Sequence, residues 1–295
     1  MIVARIFGGL GNQMFQYAAG RALAIRHGTE LTLDLRMFRT YSLHQYSLSR
    51  FGIRAAAADE RSLRAHGRAK LALVARLPVG TLRSCYLEHP FGTHAAWDRV
   101  AANAYISGYF QGEFFFQEAA SSIRDEFLPV AAPGPQNDAV TDLMADCESV
   151  ALHVRRGDYV SDRATFDIHG ACSIDYYRAA VDALRRRLDR PRFFVFSNDF
   201  PWAREHLSLG DDAVFVDWNA GAPELDLHVM SRCRHHVIAN STFSWWGAWL
   251  GSHPGQVVVA PDPWFDSVAL DASELLPERW VRVRKGAAIG AGGRP

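Results

Sequence analysis

Residues 150–159, V-A-L-H-V-R-R-G-D-Y, decide the fold: a strand-length run, Val150 to Val154, passes directly into Arg155, Arg156, Gly157 and Asp158. Downstream the pattern of short apolar strand followed by helix-forming residues repeats. Strands are expected at 193–197, 214–217, 237–239 and 257–260, separated by helices at 174–188, 201–207, 224–234 and 243–250. Near-continuous apolar strands alternating with helices imply a doubly wound parallel sheet covered on both faces. Ligands of such sheets sit outside the carboxyl ends of the strands, which is where Arg155 and its neighbours fall.

Upstream, residues 2–7 read as a buried strand and Gly8, Gly9 and Gly11 as a turn. Residues 12–27 read as a helix, with Phe15, Ala18, Ala19, Ala22 and Leu23 at helical spacing and Gly28 as its stop. A strand at 31–35 completes a β-turn-α-β unit, again the mark of a parallel sheet. Residues 55–77, rich in Ala, Arg and Leu, predict a helix ended by Pro78; 104–110 predict a strand and 118–127 a helix. The stretch V-A-A-P-G-P-Q-N-D at 130–138 has the Pro/Gly content of a linker. A boundary there divides the chain into an N-terminal α/β domain (1–135), a C-terminal Rossmann-like domain (136–285) and a tail (286–295) expected to be disordered.

The chain's 295 residues suit two domains at roughly 150 residues each. With 48% hydrophobic residues it can bury sizeable cores. Lys+Arg and Asp+Glu both total 32, so the basic excess of a phosphate-neutralising nucleic-acid binder is missing and no nucleic-acid partner is expected. Cys85, Cys147, Cys172 and Cys233 lie far apart without a C-x-x-C pair, which suits a reducing compartment. The N-terminal M-I-V-A-R-I-F lacks the regions of a signal peptide, and no window approaches 18 uninterrupted apolar residues. A cytoplasmic α/β protein is the expectation.

Four clusters could carry chemistry. Arg155 and Arg156 at a ligand-facing loop suit a multiply charged anion, because each guanidinium gives fork-shaped hydrogen bonds to phosphate oxygens; a solvated pair beside Asp158 is the plain alternative. Arg185–Arg187, inside an expected helix, read as a solvated face. In Phe196-Ser197-Asn198-Asp199 the Asp199 carboxylate could accept from a ribose or a base edge, or simply cap the next helix. In N-S-T-F-S-W-W-G-A-W-L, 240–250, Ser241 and Thr242 open a helix whose N–H groups favour a diphosphate, or they are simple caps; Trp245, Trp246 and Trp249 are expected in the core. Gly8-Gly9-Leu10-Gly11-Asn12-Gln13 fails as a dinucleotide fingerprint, since Met14 stands where the third glycine is needed, and fails as a phosphate-binding P-loop. Asn12 and Gln13 could still bond a polar ligand. No Asp-x-Asp occurs, Glu224-Leu225-Asp226 being the nearest approach, so no acidic metal site is visible.

Taken in order, G-G-L-G-N-Q-M-F-Q-Y-A, G-Y-F-Q (108–111), H-V-R-R-G-D-Y, F-S-N-D and N-S-T-F-S-W-W-G-A-W-L resemble the α-1,2-fucosyltransferases of glycosyltransferase family 11, over residues 8 to 250. The resemblance implies a GT-B-like fold, two Rossmann-like domains facing a cleft, with acceptor on the N-terminal side and GDP-β-L-fucose held by the C-terminal domain. It implies inverting transfer to the 2-hydroxyl of a terminal β-galactoside, with no metal and no cofactor beyond the donor. Carried over residue by residue, Arg155 would bind the β-phosphate and Arg156 would support the loop or the phosphates. His153 and Asp199 would lie near the guanosine, Ser241 and Thr242 would face the diphosphate, and Asn12 and Gln13 would line the acceptor side. Asp158 and Glu113 stand as candidates for the general base; departure of the leaving group without a base is the alternative. An acceptor on a lipid-linked repeat unit would bring transient contact with the inner membrane face. A transferase with another acceptor or linkage, and a non-catalytic nucleotide-sugar or glycan-binding module, remain as rival readings.

Overall fold

The structure is a computed structural model that describes residues 1–40, 43–61, 63, 81–82, 84–88, 94–267, 270 and 272–286. The chain forms two compact units, Met1–Val130 and Ala131–Pro295. Each is a parallel α/β assembly, the GT-B-like class of architecture. Of the expected tail, 287–295 lie outside the described residues.

Unit 1 carries a six-stranded sheet of β1 (Ile2–Arg5), β2 (Leu31–Asp34), β3 (Ala56–Ala57), β4 (Thr81–Leu82), β5 (Cys85–Leu87) and β6 (Ala104–Ser107). Its order is β3-β2-β1-β6-β5-β4, parallel except for the β4–β5 pair. The helix Leu10–Arg26 buries Phe15, Ala18, Ala19, Ala22 and Leu23, the positions its periodicity marks. Ala56–Ala57 is an edge strand where composition predicts a helix: β2 provides a pairing edge, and the Ala58 N–H donates to the Leu33 carbonyl at 2.8 Å. The remainder of that expected helix, 64–77, lies outside the described residues.

Unit 2 holds β7 (Ser149–Val154), β8 (Arg192–Ser197), β9 (Val214–Phe215), β10 (His235–Val237), β11 (Val258–Asp262) and β12 (Val281–Arg284), all parallel, in the order β12-β11-β10-β7-β8-β9. Alternation along β7 covers both faces. Val150, Leu152 and Val154 pack with Tyr176, Tyr177, Val181 and Leu184 of the helix Ile174–Arg185. Ala151 packs with Phe194 and Phe196 against Val140 and Met144 of Pro135–Ala145 and Val229 and Met230 of Pro223–Arg232. Each large side chain so buried contributes about 1.5–3 kcal/mol. Trp245, Trp246 and Trp249 are in the core, and the Trp245 indole donates to the Leu275 carbonyl at 2.9 Å.

The unit 2 sheet reverses direction beside its first strand, at β7/β10, with β8 and β9 to one side and β10, β11 and β12 to the other. Such a switch point opens a crevice at the carboxyl ends, because connecting segments leave to opposite sides there. Among the described residues no helix is long and apolar enough to cross a membrane.

Candidate functional site

At the switch point of unit 2, β7 ends at Val154 and a short helix, Gly157–Ser161, begins after two intervening residues. Arg155 and Arg156 occupy the gap. The Arg156 N–H donates to Asn198 Oδ1 at 2.9 Å, locking the β7 exit to the β8 exit. A Cβ at Gly157 would collide with the same Asn198 amide, so the close approach of the two loops requires glycine. Gly157→Ala is expected to cost about 1–3 kcal/mol of stability through overpacking and to lower any turnover about tenfold or more by tilting Arg155 and Arg156. Thermal unfolding and a rate assay check this; an unchanged rate would contradict it.

The two arginines are held differently. The Arg156 guanidinium lies 3.5 Å from Asp199 Oδ2 and 4.2 Å from the centre of the Trp202 ring. Asp199 caps the helix Phe200–His206, accepting from the Trp202 N–H at 3.2 Å, so the capping alternative is real and coexists with an ion pair to Arg156. Arg155 reaches over the Tyr159 ring at 5.5 Å. Arg185, Arg186 and Arg187 are exposed. Asp158 is the second residue of its helix, and its side chain lies outside the described residues.

Two further elements meet β7 here. His153, 4% exposed, packs its ring on Phe243 at 5.6 Å, joining the H-V-R-R and N-S-T-F segments. Its Nδ1 is buried without a hydrogen-bond partner among the described residues. Ser241 is the N-cap residue of the helix Thr242–Leu250, and its side chain makes no capping hydrogen bond, although capping is the plain expectation for Ser241 and Thr242. The hydroxyl that serves the turn is that of Ser244, within 3.1 Å of the Ala239 and Ser241 carbonyls. The Ser241 hydroxyl therefore leaves the first-turn N–H groups, the positive end of the helix dipole, uncovered.

Burial, and secondarily the Arg155 charge, press the His153 pKa down to about 3. An imidazole titrating there is neutral at physiological pH and a poor general base. In the unfolded chain the same ring titrates near 6.5. Below about pH 6.5 the unfolded chain takes up this proton and the folded chain does not, so stability is lost as pH falls. The stability gap between wild type and His153→Gln is expected to shift against wild type by about 1.4 kcal/mol per pH unit from 6.5 downward. Urea unfolding of both at pH 7 and pH 5 measures it, and a constant gap would contradict the buried, neutral ring.

A fastening cluster behind these loops escapes sequence reasoning. Asn240, 1% exposed, donates from Nδ2 to the carbonyls of His169, Gly170 and Trp264 at 2.8–3.1 Å. Lys285, also 1% exposed, pairs with Asp266 Oδ1 at 2.5 Å and donates to the His169 and Trp264 carbonyls at 2.6 and 3.3 Å. Tyr159 donates to the Asn240 carbonyl at 3.2 Å and stacks on His169 at 5.0 Å. The loop behind Arg155 is thus anchored to the β10, β11 and β12 exits. Burial pushes the Cys172 thiol up to about 12, so it is no thiolate nucleophile at neutral pH. Among the described residues no group of three or more His, Cys, Asp or Glu could hold a metal ion.

The remaining candidates lie in unit 1. Asn12 Oδ1 accepts from Gln111 Nε2 at 2.9 Å. Gln13 corrects the expectation that it meets an acceptor: it is wholly buried, its Nε2 donates to the Gly8 and Gln45 carbonyls and its Oε1 accepts from the Ser47 N–H, each at 2.9 Å. It positions the 45–47 loop. Glu113 begins the 3-10 turn Glu113–Phe115 and is half-buried.

Comparison with known proteins agrees with this architecture. The model of Glycosyl transferase family 11 matches residues 98–284. Over 291 residues the chain is 34% identical to an α-1,2-colitosyltransferase of Escherichia coli, covering 97% of this chain and 99% of that one. It is 32% identical over 141 residues to galactoside α-(1,2)-fucosyltransferase 2 of Mus musculus, 45% of this chain and 40% of that protein. The structure of an Arabidopsis thaliana FUT1 mutant in complex with GDP shares the fold, with a TM-score of 0.50 at 13% identity over 89% of this chain and 71% of that one. With H-V-R-R-G-D-Y, F-S-N-D and N-S-T-F-S-W-W set around the unit 2 switch point and a relative matching along nearly its whole length, the chain belongs to glycosyltransferase family 11 and is a glycosyltransferase of the fucosyltransferase kind.

Proposed function

We propose that the chain transfers L-fucose, with inversion at C1, from GDP-β-L-fucose to the 2-hydroxyl of a terminal β-galactoside, without a metal ion. The observation that carries the donor half is the convergence of Arg155, Arg156 and the uncapped start of Thr242–Leu250 on the β7/β10 switch point. Guanidinium groups and first-turn N–H groups are the donors that a diphosphate leaving group needs. Arg155 binds the β-phosphate, and Ser241 and Thr242 face the diphosphate. Arg156, fixed by Asp199 and Trp202, supports the loop. His153 and Asp199 stand near the guanosine. Breaking the C1–O bond builds negative charge on GDP while the sugar becomes oxocarbenium-like, and preorganised donors stabilise that charge. Asn12 serves the acceptor side. Asp158 and Glu113 are the two carboxylates offered as base for the acceptor hydroxyl, and the neutral His153 is not one.

A second donor has a specific observation in its favour, the whole-length likeness to a colitosyltransferase. Colitose is the 3-deoxy counterpart of L-fucose. A site that hydrogen-bonds the 3-hydroxyl rejects the deoxy sugar by about 10⁴–10⁵, whereas one that does not touch it discriminates weakly. Steady-state kcat/KM for GDP-fucose and GDP-colitose with one β-galactoside therefore decides the donor. Preference for GDP-fucose supports the proposal, and a preference of a thousandfold for GDP-colitose would replace it with the colitosyl reading.

A further inference from the structure

The two arginines at the unit 2 switch point are seated in the same way. Arg155 reaches over the Tyr159 ring at 5.5 Å, and that ring is stacked on His169 at 5.0 Å, 16° from parallel. Arg156 lies over the Trp202 ring at 4.2 Å, and that ring is stacked on His206 at 4.8 Å, 13° from parallel. A cation within about 6 Å of a ring centre is attracted by the ring's quadrupole. An arginine parked in this way has less rotamer freedom to lose when an anion arrives.

Tyr159 differs from Trp202 in what else it holds. Its hydroxyl donates to the Asn240 carbonyl at 3.2 Å. That carbonyl belongs to a fixed residue: Asn240 Nδ2 donates to the His169, Gly170 and Trp264 carbonyls, and the Cys172 thiol donates to Asn240 Oδ1 at 3.5 Å. His169 is held by the same set, since its carbonyl also accepts from Lys285 at 2.6 Å and its ring packs on Phe265 at 5.4 Å. Asn240 is followed at once by Ser241 and the first turn of Thr242–Leu250. β7 and β10 are parallel neighbours, so their exits leave the sheet side by side. One side chain therefore reaches both donor sets of the crevice. Its ring lies under the Arg155 guanidinium, and its hydroxyl is on the residue ahead of the helix N-cap.

The backbone around Arg155 is held by other groups. The Tyr177 hydroxyl donates to the His153 carbonyl at 3.4 Å, and the Arg156 N–H donates to Asn198 at 2.9 Å. Trimming Tyr159 thus frees the guanidinium while the strand exit stays in place.

We propose that Tyr159 is a positioning residue that sets the spacing between the Arg155 guanidinium and the N–H groups of Thr242–Leu250, so that the two grip a nucleoside diphosphate together and the site tells it from a monophosphate. This rests on the donor reading above, with Arg155 on the β-phosphate. Titration calorimetry of the full chain with GDP and with GMP tests it. Wild type is expected to bind GDP about tenfold or more tightly than GMP, the difference of one charge-assisted pair. Tyr159→Leu should weaken GDP about tenfold and GMP less than about twofold, collapsing the preference. Tyr159→Phe keeps the ring and its packing and loses only the hydroxyl tie, so it should weaken GDP about threefold, again with GMP little changed. A general loosening of the loop would weaken both nucleotides alike, which is why the GDP-to-GMP ratio is the readout. A ratio unmoved in both Tyr159 variants, while Arg155→Ala lowers it, would overturn the positioning role alone. No GDP bound by wild type, or GDP held as tightly by Arg155→Ala, would strike the donor reading and this inference with it.

Discussion

Replacing Arg155 with alanine is expected to lower sugar transfer by about 10²–10³-fold, the usual cost of removing one preorganised donor to developing negative charge, with little change in thermal stability. Arg155 leaves β7 at the switch point, where the strand order turns and a ligand crevice opens. Its guanidinium rests on Tyr159 and the residue is half-buried, so truncation removes a donor with only a small loss of packing. Arg155→Lys keeps the charge but loses the fork that matches two phosphate oxygens, and should recover part of the rate. Arg156→Ala should behave differently. Arg156 is held by Asn198, Asp199 and Trp202, so its loss should loosen the loop and raise the donor KM as well as lower kcat. Turnover of Arg155→Ala within a few-fold of wild type would refute its assignment to the leaving group.

The second large effect concerns Lys285. Its ammonium has three N–H donors and meets three acceptors, Asp266 and the His169 and Trp264 carbonyls; Lys285 is 1% exposed and Asp266 24%. Lys285→Met leaves Asp266 and two carbonyls without that partner, and removing one member of a buried pair costs about 3–5 kcal/mol. For a unit of this size each kcal/mol moves the midpoint by about 2–4 °C, so unit 2 is expected to unfold roughly 6–20 °C earlier. Lys285→Arg should also destabilise, because a planar fork does not reproduce a compact tetrahedral donor set. Calorimetry of the three proteins checks this, and a methionine variant that melts with wild type would show that the cluster does not hold the loop.

The parts legible in the sequence were those whose signal is local. Val150 to Val154 alternate toward two covered faces, and the arginines follow at the strand end, so β7 and its exit could be placed from spacing alone. The short helices Gly157–Ser161 and Arg163–His169 could not, because Asn240, Lys285 and the Tyr159–His169 stack fasten that segment from distant parts of the chain. Pro135 reads as a linker residue, yet it opens a helix at the position where a missing N–H costs nothing. β12 alternates half-buried and exposed residues, V-R-V-R, at the sheet edge, and carries no continuous apolar run. Asn12 and Gln13 look equivalent on paper; the burial of Gln13 and its three hydrogen bonds separate them. One signal for the fastening cluster was present: Lys285 and Lys70 are the only lysines in a chain otherwise using arginine, and a compact ammonium is what the three acceptors require.

The measurement that bears most directly on the account is GDP release from GDP-fucose by the full chain, in buffer with EDTA, with and without lactose, followed by NMR of the product. Lactose-dependent release in EDTA is expected, with a fucose joined to the 2-hydroxyl of galactose. Release that requires an added divalent cation, or a protein that binds GDP yet releases none with any β-galactoside supplied, would contradict it.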